Sequence, residues 1–406
     1  MQTKQKQKKW VLHRHKVVRT LLYIPFCVYI RMKYFFTPTK FRQEGKRPYL
    51  VLANHQTAFD QFYVSVSFKQ PMYYLASEDL FSNGFTSSLI RYLVAPIPIK
   101  KQTTDIGAVM NCIRVAREGG SIAIFPEGNR TYSGETVYMS DSIAALAKKL
   151  KMPIALYRIE GGYGVQPRWS DGTRKGKMKA YVSRVIEPEE YQDLSREDLF
   201  DLIQKGLYAN EAVADGTYKS RKRAEYMERA MYICPDCGLS EFESHKNEIT
   251  CKKCGKTAVY GEDKTFTGKD CQWPFRFVKD WYDYQEQFIN KLDVLQYKNQ
   301  PLYQDVAQVS EVIFCKKKQL LRKQAKLSLY GDRIVLDEGT AQAETWHFDD
   351  VQVITVLGRN KLNVYHGKQL FQFKSHKRFN ALKYMHIYFR YKNLMRGESD
   401  VEFLGL

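Results

Sequence analysis

The 406-residue sequence has no apolar run of membrane-spanning length near its N-terminus. The candidate there, TLLYIPFCVYI, is eleven residues between Arg19 and Arg31, against the roughly 20 that a spanning helix needs. A signal-peptide cleavage site is missing too, because the residues that follow, RMKYFFTPTKF, are basic and aromatic instead of small. No internal repeat or low-complexity tract interrupts the chain. Acidic residues are absent at one end: none precedes Glu44, while eleven Lys and Arg lie between Lys4 and Arg42. A disulfide framework is not indicated. Of eight cysteines only four form tight pairs, and Cys27, Cys112, Cys271 and Cys315 are scattered, which points to metal chemistry in a reducing compartment.

What is present reads as two or three packed units, since 406 residues exceed one ordinary domain. Apolar residues at 44% and aromatics at 14% exclude a disordered chain. Lys and Arg outnumber Asp and Glu by 64 to 44, a net +20, so the expected partner is anionic: nucleic acid, a membrane surface or a phosphorylated substrate. More than half of that excess sits at the N-terminus. Residues 8–36 therefore read as a basic, apolar segment in a membrane interface, with Leu21, Leu22, Ile24, Phe26 and Phe35 below the headgroups. The rival is a solvated basic arm leading into a core helix.

From about 48 to 190, the runs YLVLA, MYYLA, IPIK, SIAIF, PIALYRI and KAYVSRVI alternate with helix-like stretches, which predicts an α/β layer with a largely parallel sheet. Gly119 and Gly120 end the helix before SIAIF, Ser195 caps another, and KSRKRAEYMERAM reads as a charged helical connector. WPFRFVKDWYDYQEQFINKLDVLQ looks helical. Beyond about 305, alternating strands with tight turns precede an amphipathic helix carrying Phe379, Leu382, His386 and Phe389, which suggests a small, partly open barrel capped by that helix.

Two strand ends carry chemistry. VLANHQTAFD runs from an apolar strand into Asn54 and His55, with Asp60 five positions on; neutral imidazole is the usual general base near pH 7, and a carboxylate on its other nitrogen fixes the tautomer. A hydrogen-bonded helix start would leave the same pattern. SIAIFPEGNRTYSGE presents Glu127, Gly128 and Arg130 in a turn, where glycine permits close backbone approach and an arginine fork matches phosphate. A capped turn with a surface salt bridge is the plainer reading.

Together, NHQTAFD and FPEGNRT resemble the motifs of the glycerolipid acyltransferase family, the lysophosphatidate (1-acylglycerol-3-phosphate) acyltransferases. The family's histidine, its aspartate and its Phe-Pro-Glu-Gly block with a following arginine fall on His55, Asp60, Phe125, Pro126, Glu127, Gly128 and Arg130. Its short strand ending in a basic residue falls on APIPIKK at Lys100 or Lys101, and a proline-led strand on Pro153. The likeness covers roughly 45–190; Asn129 replaces a small hydroxyl residue and lysine replaces the usual arginine in IPIKK.

The resemblance implies acyl transfer from a thioester, acyl-CoA or acyl carrier protein, to the hydroxyl of lysophosphatidic acid, giving phosphatidic acid at the cytoplasmic face of a membrane by a peripheral or monotopic enzyme. His55 and Asp60 would be catalytic, and Lys100, Lys101, Glu127, Gly128 and Arg130 would bind substrate. Another lysophospholipid or glycerol 3-phosphate as acceptor, or a binding or adaptor protein on a degenerate acyltransferase scaffold, are the alternatives.

CPDC and CKKC form C-x2-C-x13-C-x2-C, with Gly238 and Gly255 after the pairs, and four thiolates so spaced read as a closed structural Zn2+ site resembling a zinc ribbon, on Cys234, Cys237, Cys251 and Cys254. Such ribbons often touch nucleic acid, although nucleic acid is not the partner expected here. Residues 305–393 resemble a pleckstrin-homology-like or GRAM-like domain in pattern, with CKKKQLLRKQAK placed to meet anionic headgroups or to be a solvated strand edge. The expected organisation is a membrane-interface segment at 1–44, an acyltransferase domain at 45–230, a zinc ribbon at 231–262, a helical linker at 263–304 and a PH-like β-rich domain at 305–406.

Overall fold

The computed structural model describes residues 9–43, 45–99, 105–136 and 138–398. The first half folds around a six-stranded sheet: β1 Leu50–Ala53, β2 Met72–Ser77, β3 Ile97–Ile99, β4 Ser121–Ile124, β5 Ile154–Glu160 and β6 Lys179–Ile186, in the order β3-β2-β4-β1-β5-β6. All neighbours run parallel except β6, which returns antiparallel to β5. Both faces are covered, so the central strands are apolar without alternation. Leu50 and Leu52 of β1 pack with Ile122, Ile154 and Leu156 on one face; Val51 and Ala53 pack with Ala123, Ala155 and Tyr157 on the other.

The helices of this half are α1 His13–Tyr34, α2 Asp60–Ser67, α3 Phe85–Val94, α4 Ile106–Arg117, α5 Ser142–Leu150, the short α6 Gly162–Val165 and α7 Pro188–Tyr191, and α8 Arg196–Leu207. α4, α5 and α8 bury Cys112, Val115, Ala144, Ala147, Leu199 and Ile203 in the first core, while α1 and α2 bury Ile30, Tyr34, Tyr63 and Val64 in the second. The Ser195 hydroxyl caps α8 by accepting the Asp198 N–H at 2.9 Å. α1 docks on α2 through Phe26, whose ring stacks on Phe62 at 4.3 Å. Phe26 was expected below lipid headgroups; it belongs instead to the face of α1 turned to the body, while Leu21 and Ile24 are exposed.

Next come β7 Ile233–Cys234, β8 Gly238–Leu239, β9 Phe242–His245, β10 Glu248–Cys251, β11 Thr257–Tyr260 and β12 Phe266–Lys269. β9 to β12 form one antiparallel sheet, so the cysteine-bearing unit runs on to Lys269, beyond the expected boundary at 262. α9 Val278–Lys291 follows; the aromatic stretch before it is not helical. Seven antiparallel strands complete the chain, β13 Tyr303–Glu311, β14 Gln319–Leu329, β15 Arg333–Leu336, β16 Glu344–His347, β17 Val351–Leu357, β18 Lys361–His366 and β19 Gln369–Lys374, with α10 Leu382–Arg396 packed on β17 through Tyr388, whose hydroxyl donates to the Gln352 carbonyl at 2.7 Å. Their order is β16-β15-β14-β13-β19-β18-β17, with β16 and β17 unpaired to each other, so the sheet is open.

These units share one core, which joins Tyr132, Tyr163 and Trp169 of the first half to Trp281 of α9 and Ile354 and Tyr388 near the C-terminus. Residues 219–231, expected as a helical connector, form no α-helix apart from one short 3-10 turn at Met227–Arg229. Their hydrogen bonds are spent across units instead. Ala224 N–H donates to the Lys246 carbonyl at 2.8 Å, Tyr226 N–H to Ser244 Oγ at 2.7 Å, and Tyr226 sits at a left-handed φ of 71°. Arg229 donates to the carbonyls of Trp169 (2.8 Å) and Lys377 (2.6 Å) and to Asp171 at 2.6 Å.

Candidate active site

β1 ends where Asn54 takes over its ladder. The Asn54 side chain donates to the Ile159 carbonyl at 2.9 Å and accepts the Ile159 N–H at 2.7 Å, so the strand gains one further rung while the backbone turns away. That turn is folded around Asp60, the first residue of α2, closer to the helix start than the one turn expected. Its fully buried carboxylate accepts from Gln56 N (2.6 Å), Thr57 N (2.9 Å), Thr57 Oγ1 (2.6 Å) and His55 Nδ1 (2.8 Å). Tyr63 Oη lies 2.9 Å from Thr57 Oγ1, and burial, with Asp60's charge next, pushes its phenol far above the ordinary range.

The His55 ring is held on two sides. Nδ1 faces Asp60, Phe125 stacks on the ring at 4.5 Å between centroids, and the side chain keeps 21% exposure. The second motif meets the first through the backbone: His55 N–H donates to Glu127 Oε1 at 2.8 Å, with Glu127 almost wholly buried. Gly128 closes the turn with φ 67° and an N–H to the Phe125 carbonyl at 3.0 Å; a Cβ would meet no atom there, so the demand for glycine is conformational.

Arg130 was expected to bind the acceptor's phosphate. It is only 7% exposed, and its buried Nη1 has no hydrogen-bond partner in the protein. Burial, and then the guanidiniums of Arg168 and Arg359, bring its pKa down to about 10. The reason is the C-terminal sheet, whose β17–β18 turn covers this loop. Arg168 donates to the carbonyls of Arg130 (2.8 Å), Val356 (2.9 Å) and Gly358 (2.9 Å) and lies 4.1 Å over the Tyr132 ring, while Tyr132 Oη donates to the Arg359 carbonyl at 2.9 Å. No local motif marks Arg168 or Arg359, which is why sequence reasoning passed over them. Lys100 and Lys101 lie outside the described residues.

A second constellation lies apart from this edge. Cys234 and Cys251 end β7 and β10, Gly238 (φ 68°) and Gly255 (φ 76°) turn the chain after each pair, and the sulfurs of Cys234, Cys237, Cys251 and Cys254 lie within 4.8 Å of one another. Four converging sulfurs are a metal-binding set.

Residues 34–159 match the protein-family model described as Acyltransferase. The chain is 23% identical over 136 residues, 34% of its length, to a 1-acyl-sn-glycerol-3-phosphate acyltransferase of Bacillus subtilis (strain 168), and covers 65% of that relative. It is 25% identical over 160 residues, 38% of its length, to a protein of the same name from Borreliella burgdorferi, covering 62% of it. It thus spans less than two thirds of either relative. Among solved structures it is similar to the 1-acyl-sn-glycerophosphate (LPA) acyltransferase PlsC from Thermotoga maritima, with 18% identity and a TM-score of 0.39 over 48% of this chain and 82% of that one. Residues 34–159, which carry the two motifs that meet at His55, thus form an acyltransferase-family domain within the longer chain.

Proposed function

We propose that the chain transfers an acyl group from a thioester to the free hydroxyl of lysophosphatidic acid, giving phosphatidic acid. The observation that carries this reading is the His55–Asp60 pair at 2.8 Å, held at a strand end by Glu127. His55 takes the hydroxyl proton at Nε2 as the acceptor oxygen bonds to the thioester carbonyl carbon; the C–S bond then breaks and the proton passes to the leaving thiolate. Asp60 fixes the tautomer and stabilises the imidazolium, and is a positioning residue. Glu127 and Gly128 shape the loop that sets the His55 backbone. Arg130, with Lys100 or Lys101, holds the acceptor's phosphate, the buried Nη1 being the donor that lacks a protein partner. General acid–base catalysis supplies about 10² to 10⁴-fold, so positioning supplies much of the rest.

In the same reading the four cysteines hold structural Zn2+. Zn–S bonds of roughly 2.3 Å place tetrahedral sulfurs about 3.8 Å apart, and the Cys234 and Cys254 sulfurs are 3.8 Å apart. The seven-stranded sheet with its C-terminal helix is read as a PH-like unit on its strand order, and the enzyme as peripheral, on the cytoplasmic face. Among the described residues no helix is long and apolar enough to cross a membrane. An acyl-transfer assay with lysophosphatidic acid, a lysophospholipid lacking a phosphomonoester, and glycerol 3-phosphate as acceptors, each with acyl-CoA and with acyl carrier protein thioester, tests the reading. Turnover of lysophosphatidic acid no faster than of the others removes it.

A further inference from the structure

Three apolar surfaces without a core to serve adjoin one another on this molecule. On α1, Leu21, Ile24 and Met32 are each about 70% exposed (69%, 69% and 73%), spaced as one helical face. On α3, Phe85 is 81% exposed, and Leu89 and Tyr92 extend the same face. The third surface belongs to the C-terminal sheet: the tip between β13 and β14 exposes Phe314, Leu320 and Leu321, each by nearly half.

Consecutive strand residues point to opposite faces, so Leu320 and Leu321 leave the tip apolar on both sides. β15 pairs with β14 only at Leu327–Leu329, so the Gln319–Gln324 half of β14 extends beyond that pairing. The tip is not isolated from the first half. Ser82 Oγ donates to the Ile313 carbonyl at 3.0 Å, Phe314 packs on Phe81 at 5.6 Å, and Arg91 of α3 reaches Cys315 Sγ at 3.1 Å. Lys318 is paired with Asp79 and donates to Gln372 at 2.8 Å. Arg14 of α1 lies 4.1 Å over Tyr92 of α3, which completes the row α1, α3, tip.

Charge along this row is mainly basic, with Asp79 taken up by Lys318 and Asp337 and Glu344 by Arg322. No acidic residue occurs in His13–Tyr34, in Phe85–Val94, or between Glu311 and Asp332, whereas Lys316, Lys317 and Lys323 are exposed at the tip. Apolar side chains flanked by lysines in excess of carboxylates suit an anionic lipid surface, where burial of the apolar residues and attraction to headgroups add.

We propose that residues 313–323 are a second membrane-contacting element, seated with α1 and α3 on one anionic bilayer surface. The inference rests on the reading that this enzyme works at a membrane. Binding is then bivalent within one body, and removal of the N-terminal segment alone weakens it without abolishing it.

The test is partition of the full chain into vesicles of phosphatidylcholine alone and of an equal mixture with phosphatidylglycerol. Phe314→Ser with Leu320→Ser lowers partition by roughly tenfold or more, since each returns a buried apolar side chain to water; Leu21→Ser with Ile24→Ser does likewise. Lys316→Gln and Lys317→Gln each lower only the phosphatidylglycerol-dependent part, by roughly fivefold. A measurement on the unaltered chain guards against misfolded variants: anionic vesicles protect the amides of 313–323 from hydrogen exchange. Unchanged partition of the tip variants, or no protection at 313–323, overturns the proposal. So does a tip substitution that dissolves a dimer in sedimentation while vesicle binding stays intact, which assigns the face to a second copy. Loss of lysophosphatidic acid turnover with vesicle protection intact removes the proposed reaction and leaves the membrane contact standing.

Discussion

Replacing Asp60 by Asn separates two jobs that one carboxylate performs. Four donor groups converge on it: His55 Nδ1, Gln56 N, Thr57 N and Thr57 Oγ1, at 2.6 to 2.9 Å, with no exposure to water. An amide offers one oxygen, and its NH2 must face at least one of those donors. A buried donor left unsatisfied costs about 1–3 kcal/mol, and the remaining bonds lose their charge assistance, so the variant is less stable by about 2–4 kcal/mol. Turnover falls by about 10² to 10⁴ as well, because the imidazolium loses its counter-charge. His55→Ala removes only one of the four donors and the contact with Phe125, worth about 0.5–1.5 kcal/mol, so its cost falls on turnover and far less on stability. The assay pairs release of the thiol product from the thioester donor with the thermal midpoint of the full chain. Two results refute the reasoning. A His55→Ala protein keeping more than about a tenth of parental turnover removes the base, and an Asp60→Asn protein melting with the parent shows that the carboxylate does not hold the loop.

Loss of Arg130 as Ala raises the KM for a phosphate-bearing acceptor by roughly 10 to 150-fold, the value of one charge-assisted contact, and leaves the thioester KM little changed; steady-state kinetics with each substrate varied shows which moves. Purified protein holds one zinc per chain by elemental analysis, and Cys234→Ser or Cys251→Ser lowers the thermal midpoint, because a structural metal contributes folding free energy. Asp79, just after β2 in the first half, holds the tip of the C-terminal sheet through Lys318. Against the effect of burial, Lys318 and Gln372 hold its carboxyl below the ordinary 3.8. Its stabilisation of the docked tip is therefore fully present above that pH and lost as pH falls through the lowered value. Asp79→Asn removes this part of the acid dependence, read as hydrogen exchange at 312–318 across pH 2 to 6 in parent and variant.

The strands of the first sheet were legible because both of its faces are buried, which leaves short continuous apolar runs bounded by polar turns. His55 and Asp60 were legible for a related reason: a carboxylate that starts the next helix is near enough in sequence to fold back on the strand end. The setting of Arg130 was not. It depends on Arg168 reaching carbonyls 188 and 190 positions away, and no local spacing encodes that contact. Residues 219–231 misled in the other direction. Their Lys, Arg, Ala, Glu and Met favour a helix, but Tyr226 turns left-handed and the backbone donors serve Ser244 and the Lys246 carbonyl, so tertiary partners override propensity. The cysteine pairs were readable as a set since ligand spacing is a local property.

Arg168 also bears on how this protein is made. The loop at Arg130 leaves the ribosome early, but the Val356 and Gly358 carbonyls that Arg168 needs emerge only some 230 residues later, roughly 10 to 50 s of synthesis at ordinary elongation rates. For that interval a buried arginine faces water or the wrong partner, and the edge bearing His55 has no roof. The nascent chain then carries the loop at Arg130 uncovered, and a truncated chain ending before residue 356 keeps a sheet whose edge lacks the carbonyls that Arg168 needs.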